Sequence, residues 1–175
     1  MRYASIRNMD ISNGEGLGVS LFVQGCHFHC PNCFNKETWD FNGGKEFTKE
    51  VKYQFLDLLT NPHIQRVSIL GGEPLCDENV SEVAKLLYEI YCVKPDIKIW
   101  CYTGYNLEDI IYPVDLWNKT TLVRRTALEI IDVLVDGKYL DSRRDLSLKW
   151  CGSTNQRVID VQKTLNQKEV VLWEN

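Results

Sequence analysis

Four short apolar runs, each stopped by a glycine or a turn, constrain this chain more than any other feature. Residues 19–23, 67–70, 97–102 and 133–135 are rich in β-branched and large apolar side chains, and they run into Gly25, Gly71-Gly72, Thr103-Gly104 and Asp136-Gly137. Runs of that length, cut off by breakers, read as buried strands. Helical periodicity fills the gaps. Thr48 precedes Val51, Phe55, Leu58 and Leu59 at i, i+4, i+7 and i+8 spacing, which predicts an amphipathic helix with a Thr N-cap, ended by Asn61 and Pro62. Val80, Val83, Leu86, Leu87 and Ile90 predict a second helix, and a third helical region, interrupted around Pro113, precedes the last strand. Strands that alternate with helices make right-handed crossovers and a parallel sheet. The expected fold class is therefore α/β, a single domain over residues 1–175 with a mostly parallel sheet, open or curled. Residues 141–156 are polar and read as a loop, while residues 170–173 have the make-up of a final strand.

The composition suits such a domain. With 175 residues, 44% hydrophobic and 25% charged, the chain can bury a core without disulfides, since domains of about 150 residues bury roughly 68–70% of the surface their unfolded chains expose. A net charge of −4 argues against direct nucleic-acid binding, which rests on clustered Lys and Arg. No stretch approaches a membrane-spanning apolar run, and residues 1–10 lack the apolar segment of a secretory signal. Seven cysteines, an odd number without an export signal, are expected to be reduced thiols, metal ligands or catalytic groups in a cytoplasmic protein.

Three of those thiols, Cys26, Cys30 and Cys33, fall within eight residues directly after the first strand. That places them on a loop at a strand's C-terminal end, where parallel α/β folds put their chemistry. Ordinary electron-transfer [4Fe–4S] clusters take four cysteines, so three local ligands with no obvious fourth leave one iron open. Open coordination sites bind substrates, whereas structural metal sites are closed. The competing reading is a zinc knuckle that adds His27 or His29. Four tetrahedral ligands so close together would strain the loop, and the paired Cys-x2-Cys units of common zinc modules are missing, so iron–sulfur is favoured. Cys92 and Cys101 read as small core residues. Cys76 and Cys151 have no assigned role, although Cys76 is close enough in sequence to the next loop to be considered as a fourth ligand.

That next loop is Gly71-Gly72-Glu73-Pro74. Paired glycines let a ligand approach the backbone, and Glu73 can accept a charge-assisted bond from an ammonium group. A plain tight turn would look the same.

The spacing Cys-x3-Cys-x2-Cys resembles the signature of the radical S-adenosylmethionine superfamily. The resemblance implies a partial (β/α) barrel and one [4Fe–4S] cluster on Cys26, Cys30 and Cys33. It also implies S-adenosyl-L-methionine as cofactor, its methionine chelated by the open iron. Asn13-Gly14-Glu15-Gly16, Phe22-Val23-Gln24-Gly25 and Phe34-Asn35 resemble the activating enzymes of glycyl-radical proteins, most of which carry Pro and Arg where this chain has Glu15 and Gly18. The short chain and the runs 132–138 and 152–157 are similar to the activators of anaerobic (class III) ribonucleotide reductases, a likeness that extends from about Asn13 to about Asp160.

By that resemblance Gly71, Gly72, Glu73 and Pro74 hold the methionine amino group, Thr103 approaches the methionine or ribose, and Asn32 and Phe34 flank the adenine. Asn32 stands where an aromatic residue is common. Asp136, Gly137, Lys138, Ser153, Asn155, Gln156 and Arg157 also resemble activase positions. The implied partners are a large glycyl-radical reductase subunit, which gives up a Cα–H hydrogen, and a one-electron donor such as reduced flavodoxin. Another glycyl-radical activase, or a small radical enzyme acting on a free metabolite such as a deazapurine precursor, would share the cluster. A noncatalytic zinc module would lack iron.

Overall fold

The four apolar runs form the middle of one sheet. The structure, a computed structural model, describes residues 1–115 and 118–174. Its strands are β1 (Arg2–Asp10), β2 (Gly18–Val23), β3 (Lys45–Glu46), β4 (Arg66–Gly71), β5 (Lys98–Tyr102), β6 (Val133–Asp136) and β7 (Arg157–Asp160). Its helices are α1 (Lys49–Leu58), α2 (Val80–Val93), α3 (Leu107–Ile111), α4 (Lys119–Leu128) and α5 (Val161–Gln167). The sheet order is β3-β1-β2-β4-β5-β6-β7.

Strands β2, β4, β5 and β6 run parallel, with Val19 opposite Val67, Ile69 opposite Cys101 and Cys101 opposite Leu134. The flanks do not. β1 is antiparallel to β2 and β3, and β7 is antiparallel to β6. The sheet is thus mixed rather than mostly parallel. The cause lies in the connections: loops without a crossover helix join β1 to β2 and β6 to β7, and only a crossover can return a chain to a parallel neighbour.

The pleat sends successive side chains to opposite faces. Val19, Leu21, Val67, Ile69, Ile99, Cys101 and Leu134 pack with Val83, Leu87 and Ile90 of α2 in the larger core. Trp100, Val133 and Val135 form a second, smaller cluster with Tyr102, Trp150 and Trp173. The face away from α2 is only partly filled by apolar groups, and this leaves room for a cavity.

The first two helices follow the sequence closely, whereas α5 was not expected. Thr48 caps α1, its Oγ1 accepting from the Val51 amide at 3.4 Å. Thr48→Ala is expected to lower stability by about 1 kcal/mol, as a shifted urea midpoint at unchanged slope would register. The third helical region is two helices, α3 and α4, with Pro113 between them. Cys101 is fully buried as expected, but Cys92 is exposed, because it lies off the stripe that ends at Ile90. Residues 170–173 do not extend the sheet by a full strand; they pair with β7 through a single bridge, Leu172 to Ile159. Among the described residues no helix is long and apolar enough to cross a membrane.

Candidate functional site

β2 ends in a loop that folds back on its own root. The Gly25 amide donates to Thr38 O at 2.8 Å and the Cys26 amide to Trp39 O at 3.1 Å. Gln24, almost fully buried, donates from Nε2 to the carbonyls of Glu37 and Asp40 at 2.9 and 2.8 Å. Residues 26–35 are thereby held as a closed loop at the head of the strand. Within it Cys33 N donates to Cys30 O at 3.1 Å, and the Asn35 amide points at Cys33 Sγ at 3.4 Å. His29 and Asn32 adopt left-handed backbone (φ 45° and 55°), which tightens the turn.

All three cysteines face one cavity of about 670 Å³, whose wall they share with Gly71, Gly72, Glu73, Thr103 and Phe34. Cys26 is buried; Cys30 and Cys33 are half-buried. Burial pushes the Cys26 and Cys30 thiols up, with Glu73 adding to the effect at Cys26 and Cys33 at Cys30. The Tyr139 backbone amide and Lys138 pull Cys30 the other way. Thiols in this setting ionise when a metal centre supplies positive charge. The donor set, three soft sulfurs on one loop with backbone amides aimed at them, fits an iron–sulfur cluster. Neither histidine joins it: His27 Nε2 lies 2.8 Å from Glu78 Oε1, and His29 stacks on Trp39 with ring centroids 4.7 Å apart. Among the described residues no three His, Cys, Asp or Glu side chains converge on a single-ion site. Cys76 is also directed elsewhere, buried with its thiol pushed up to about 12.

The second loop serves a purpose the sequence did not reveal. Gly71 has φ of +104°, and a Cβ at Gly72 would lie 2.4 Å from Gly25 O. What the glycines admit is the backbone of the cysteine loop's root. Gly72 N donates to Val23 O at 2.9 Å and Glu73 N to Gly25 O at 2.7 Å. Gly72→Ala is therefore expected to separate the two loops and to lower the thermal midpoint by several degrees, since neither backbone can yield cheaply.

Glu73 is 1% exposed. Its Oε1 accepts from the Leu75 amide at 2.9 Å and from Thr103 Oγ1 at 2.8 Å, and its Oε2 accepts from the Gly104 amide at 2.7 Å. This carboxylate is a strut between the loops after β4 and β5. Burial raises it to about 7, against the lowering effect of the Gly104, Leu75 and Thr103 bonds and of Arg124. Pro74 is buried behind it, outside the cavity wall. Asn32 is exposed, its amide donating to Asp141 Oδ2 at 2.8 Å.

Of two further supports, the first, at Arg66, carried no sequence signal, and the second joins residues that resemble activase positions. Arg66 is fully buried beneath the 12–16 loop, donating to Asp10 O at 2.8 Å and to Ser68 Oγ at 2.7 Å. Burial opposes ionisation of Asp10, but the Ser12 amide, the Asn13 and Ser20 side chains and Arg66 together hold its carboxyl below the usual range. The second support ties the β6–β7 loop. Arg157 Nε donates to Asp136 Oδ1 at 3.0 Å, Gln156 Nε2 to Gly137 O at 2.9 Å and Asn155 Nδ2 to Lys138 O at 2.8 Å. These bonds hold Lys138 and Tyr139 against the cavity, where Tyr139 meets Phe34 edge to face at 5.2 Å. Periodicity could not have found either support, because each joins residues far apart in the chain.

A mixed α/β sheet carrying three cysteines at the head of an open cavity is the frame of a single-cluster iron–sulfur protein, and residues 12–159 match the family described as "4Fe-4S single cluster domain". The chain is 38% identical over 160 residues to the anaerobic ribonucleoside-triphosphate reductase-activating protein of Escherichia coli K12, covering 90% of this chain and 97% of that protein. The proteins of the same name from Pasteurella multocida and Enterobacteria phage T4 are 35% and 34% identical, over 89% and 90% of this chain and 95% and 93% of theirs. The chain belongs to the family of anaerobic ribonucleoside-triphosphate reductase-activating proteins.

Proposed function

We propose that this protein activates an anaerobic ribonucleoside-triphosphate reductase by creating a glycyl radical on it, using one [4Fe–4S] cluster on Cys26, Cys30 and Cys33 and S-adenosyl-L-methionine. The observation that carries this reading is the shared cavity: the three thiols and the loops after β4 and β5 open onto one space large enough for a cofactor. When bound, the cluster supplies the electron that splits S-adenosylmethionine into methionine and the 5′-deoxyadenosyl radical, which takes a hydrogen atom from the target glycine.

The chain's own residues bind and orient. Gly71, Gly72 and Glu73 line the seat of the methionine amino group, and Pro74 backs it from behind the wall. Thr103, fixed by Glu73, presents the edge of the next loop to the methionine or ribose. Phe34 and the backbone at Asn32 border the adenine. The whole chain acts as one radical S-adenosylmethionine domain over residues 1–175, a partial (β/α) barrel whose central parallel strands are β2, β4, β5 and β6. It works in the cytoplasm with a one-electron donor such as reduced flavodoxin.

The test is anaerobic incubation of reconstituted, reduced protein with S-adenosylmethionine and the reductase, read by electron paramagnetic resonance. A glycyl doublet on the reductase is the expected result. Deoxyadenosine formed with no such signal would point to a free metabolite as substrate, and a colourless, iron-free protein would exclude radical chemistry.

A further inference from the structure

The cavity is ringed by cations in a chain whose net charge is −4. Five aromatic side chains of its wall, Phe22, Phe28, Phe34, Trp39 and Trp150, each carry a cation over the ring. Arg7 lies 4.3 Å from the Phe22 centroid, Lys138 4.7 Å from Phe28 and Arg144 5.4 Å from Phe34. Lys36 and Lys149 lie 5.8 and 5.9 Å from Trp39 and Trp150. All five cations are exposed, and none joins an ion pair among the described residues.

Of the acids nearest in sequence to the β6–β7 cations, Asp141 feels the charge of Arg144 without bonding to it, and Asp141 and Asp145 are both bonded to other groups. Asp141 accepts from Asn32 and Tyr139 at 2.8 Å each, and Asp145 accepts from the Ser147 amide at 2.8 Å. Leu146 and Phe34, 76% and 54% exposed, add apolar surface beside these charges. A ring face steadies a cation without neutralising it. The mouth therefore presents several positioned positive charges together with apolar anchors, the pattern that meets a negative protein surface.

We propose that this mouth docks an acidic polypeptide: the cations Arg7, Lys36, Lys138, Arg144 and Lys149 receive carboxylates flanking the segment that carries the target glycine. The proposal rests on the activase reading, because the glycine must enter the cavity that these charges surround. Electrostatic pairing of this kind speeds encounter and fixes register, and it weakens as salt screens the charges.

The experiment measures the dissociation constant of the cluster-loaded protein and the anaerobic reductase subunit at about 50 mM and about 500 mM salt, for wild type and for the Arg144→Glu/Lys149→Glu double variant. Wild-type affinity should fall several-fold with salt. The double reversal should weaken low-salt binding by roughly tenfold or more, and Arg144→Lys/Lys149→Arg should restore it. Iron content and thermal midpoint equal to wild type would show that the variant is folded and loaded. Wild-type binding that is tight but indifferent to salt and to the reversal would overturn the docking proposal and leave the activase reading standing. Weakening confined to the electron donor, with reductase binding intact, would also overturn it. No wild-type binding to the reductase at either salt would overturn both.

Discussion

Cys26→Ala, Cys30→Ala and Cys33→Ala are each expected to abolish cleavage of S-adenosylmethionine and to leave the reconstituted protein with little bound iron. The three thiols sit on one closed loop, its root fixed by the Gly25 and Cys26 amides and by Gln24. That loop offers no replacement ligand, since His27 is held by Glu78 and His29 lies flat on Trp39. Three further thiols, Cys76 and Cys101 in the interior and Cys151 on the cavity wall, are poor substitutes. Burial pushes Cys76 to about 12 and Cys151 to about 11, and drives Cys101 well above the ordinary thiol range. Loss of an outer-shell partner of a metal ligand already reduces affinity about 10- to 100-fold, and loss of a ligand should do more. Iron and sulfide assays would read the cluster, and chromatography of deoxyadenosine would read the chemistry. Cleavage retained in any one variant would show that its cysteine is not a ligand.

The central part of this fold is legible in the sequence because β2, β4, β5 and β6 are buried on both faces and separated by helices. Both features leave continuous apolar runs and a 3.6-residue period. The flanks are harder to read. β1 has no fully buried residue before Asp10, so its alternation is weak, and β3 is only two residues long. β7 opens at Arg157 and follows a polar segment with Ser153, Asn155 and Gln156, which reads as a loop and whose bonds to residues 137–140 no local pattern reveals.

The site divides in the same way. Adjacent residues with a spacing signature, Cys26, Cys30 and Cys33, are recognisable in one dimension, as is the glycine pair. Long-range partners are not. Nothing local to Arg66 shows that it lies under the loop at Gly14, or that Asp141 reaches Asn32 across 109 positions. Nor does the spacing of Gly71 and Gly72 show that they admit a neighbouring backbone; the close approach of Phe22 to Gly71 and of Gly25 to Gly72 does.

Glu73→Ala should be the most damaging single change outside the cysteines. It would leave the amides of Leu75 and Gly104 and the hydroxyl of Thr103 without their acceptor. Each buried donor left unpaired costs about 1–3 kcal/mol, so a loss of several kcal/mol and a collapsed cofactor seat are expected together. Glu73→Gln separates charge from scaffold. Its carbonyl can still serve Leu75 and Thr103, but its amide meets the Gly104 N–H donor to donor, so a moderate loss of stability is expected. The pH dependence then identifies the charge. Burial raises the folded carboxyl from the usual 4.5 to about 7, so between those values the folded chain keeps a proton that the unfolded chain has released. Stability from this group therefore falls as pH rises through that window and levels off above it. At 1.36 kcal/mol per unit the fall amounts to about 3 kcal/mol. Urea titrations of wild type and Glu73→Gln at pH 5, 6, 7 and 8 should converge as pH rises, because only wild type carries the ionisable strut. Curves that stay parallel would mean that Glu73 is already charged at pH 5, leaving the loops after β4 and β5 tied by an ionised carboxylate.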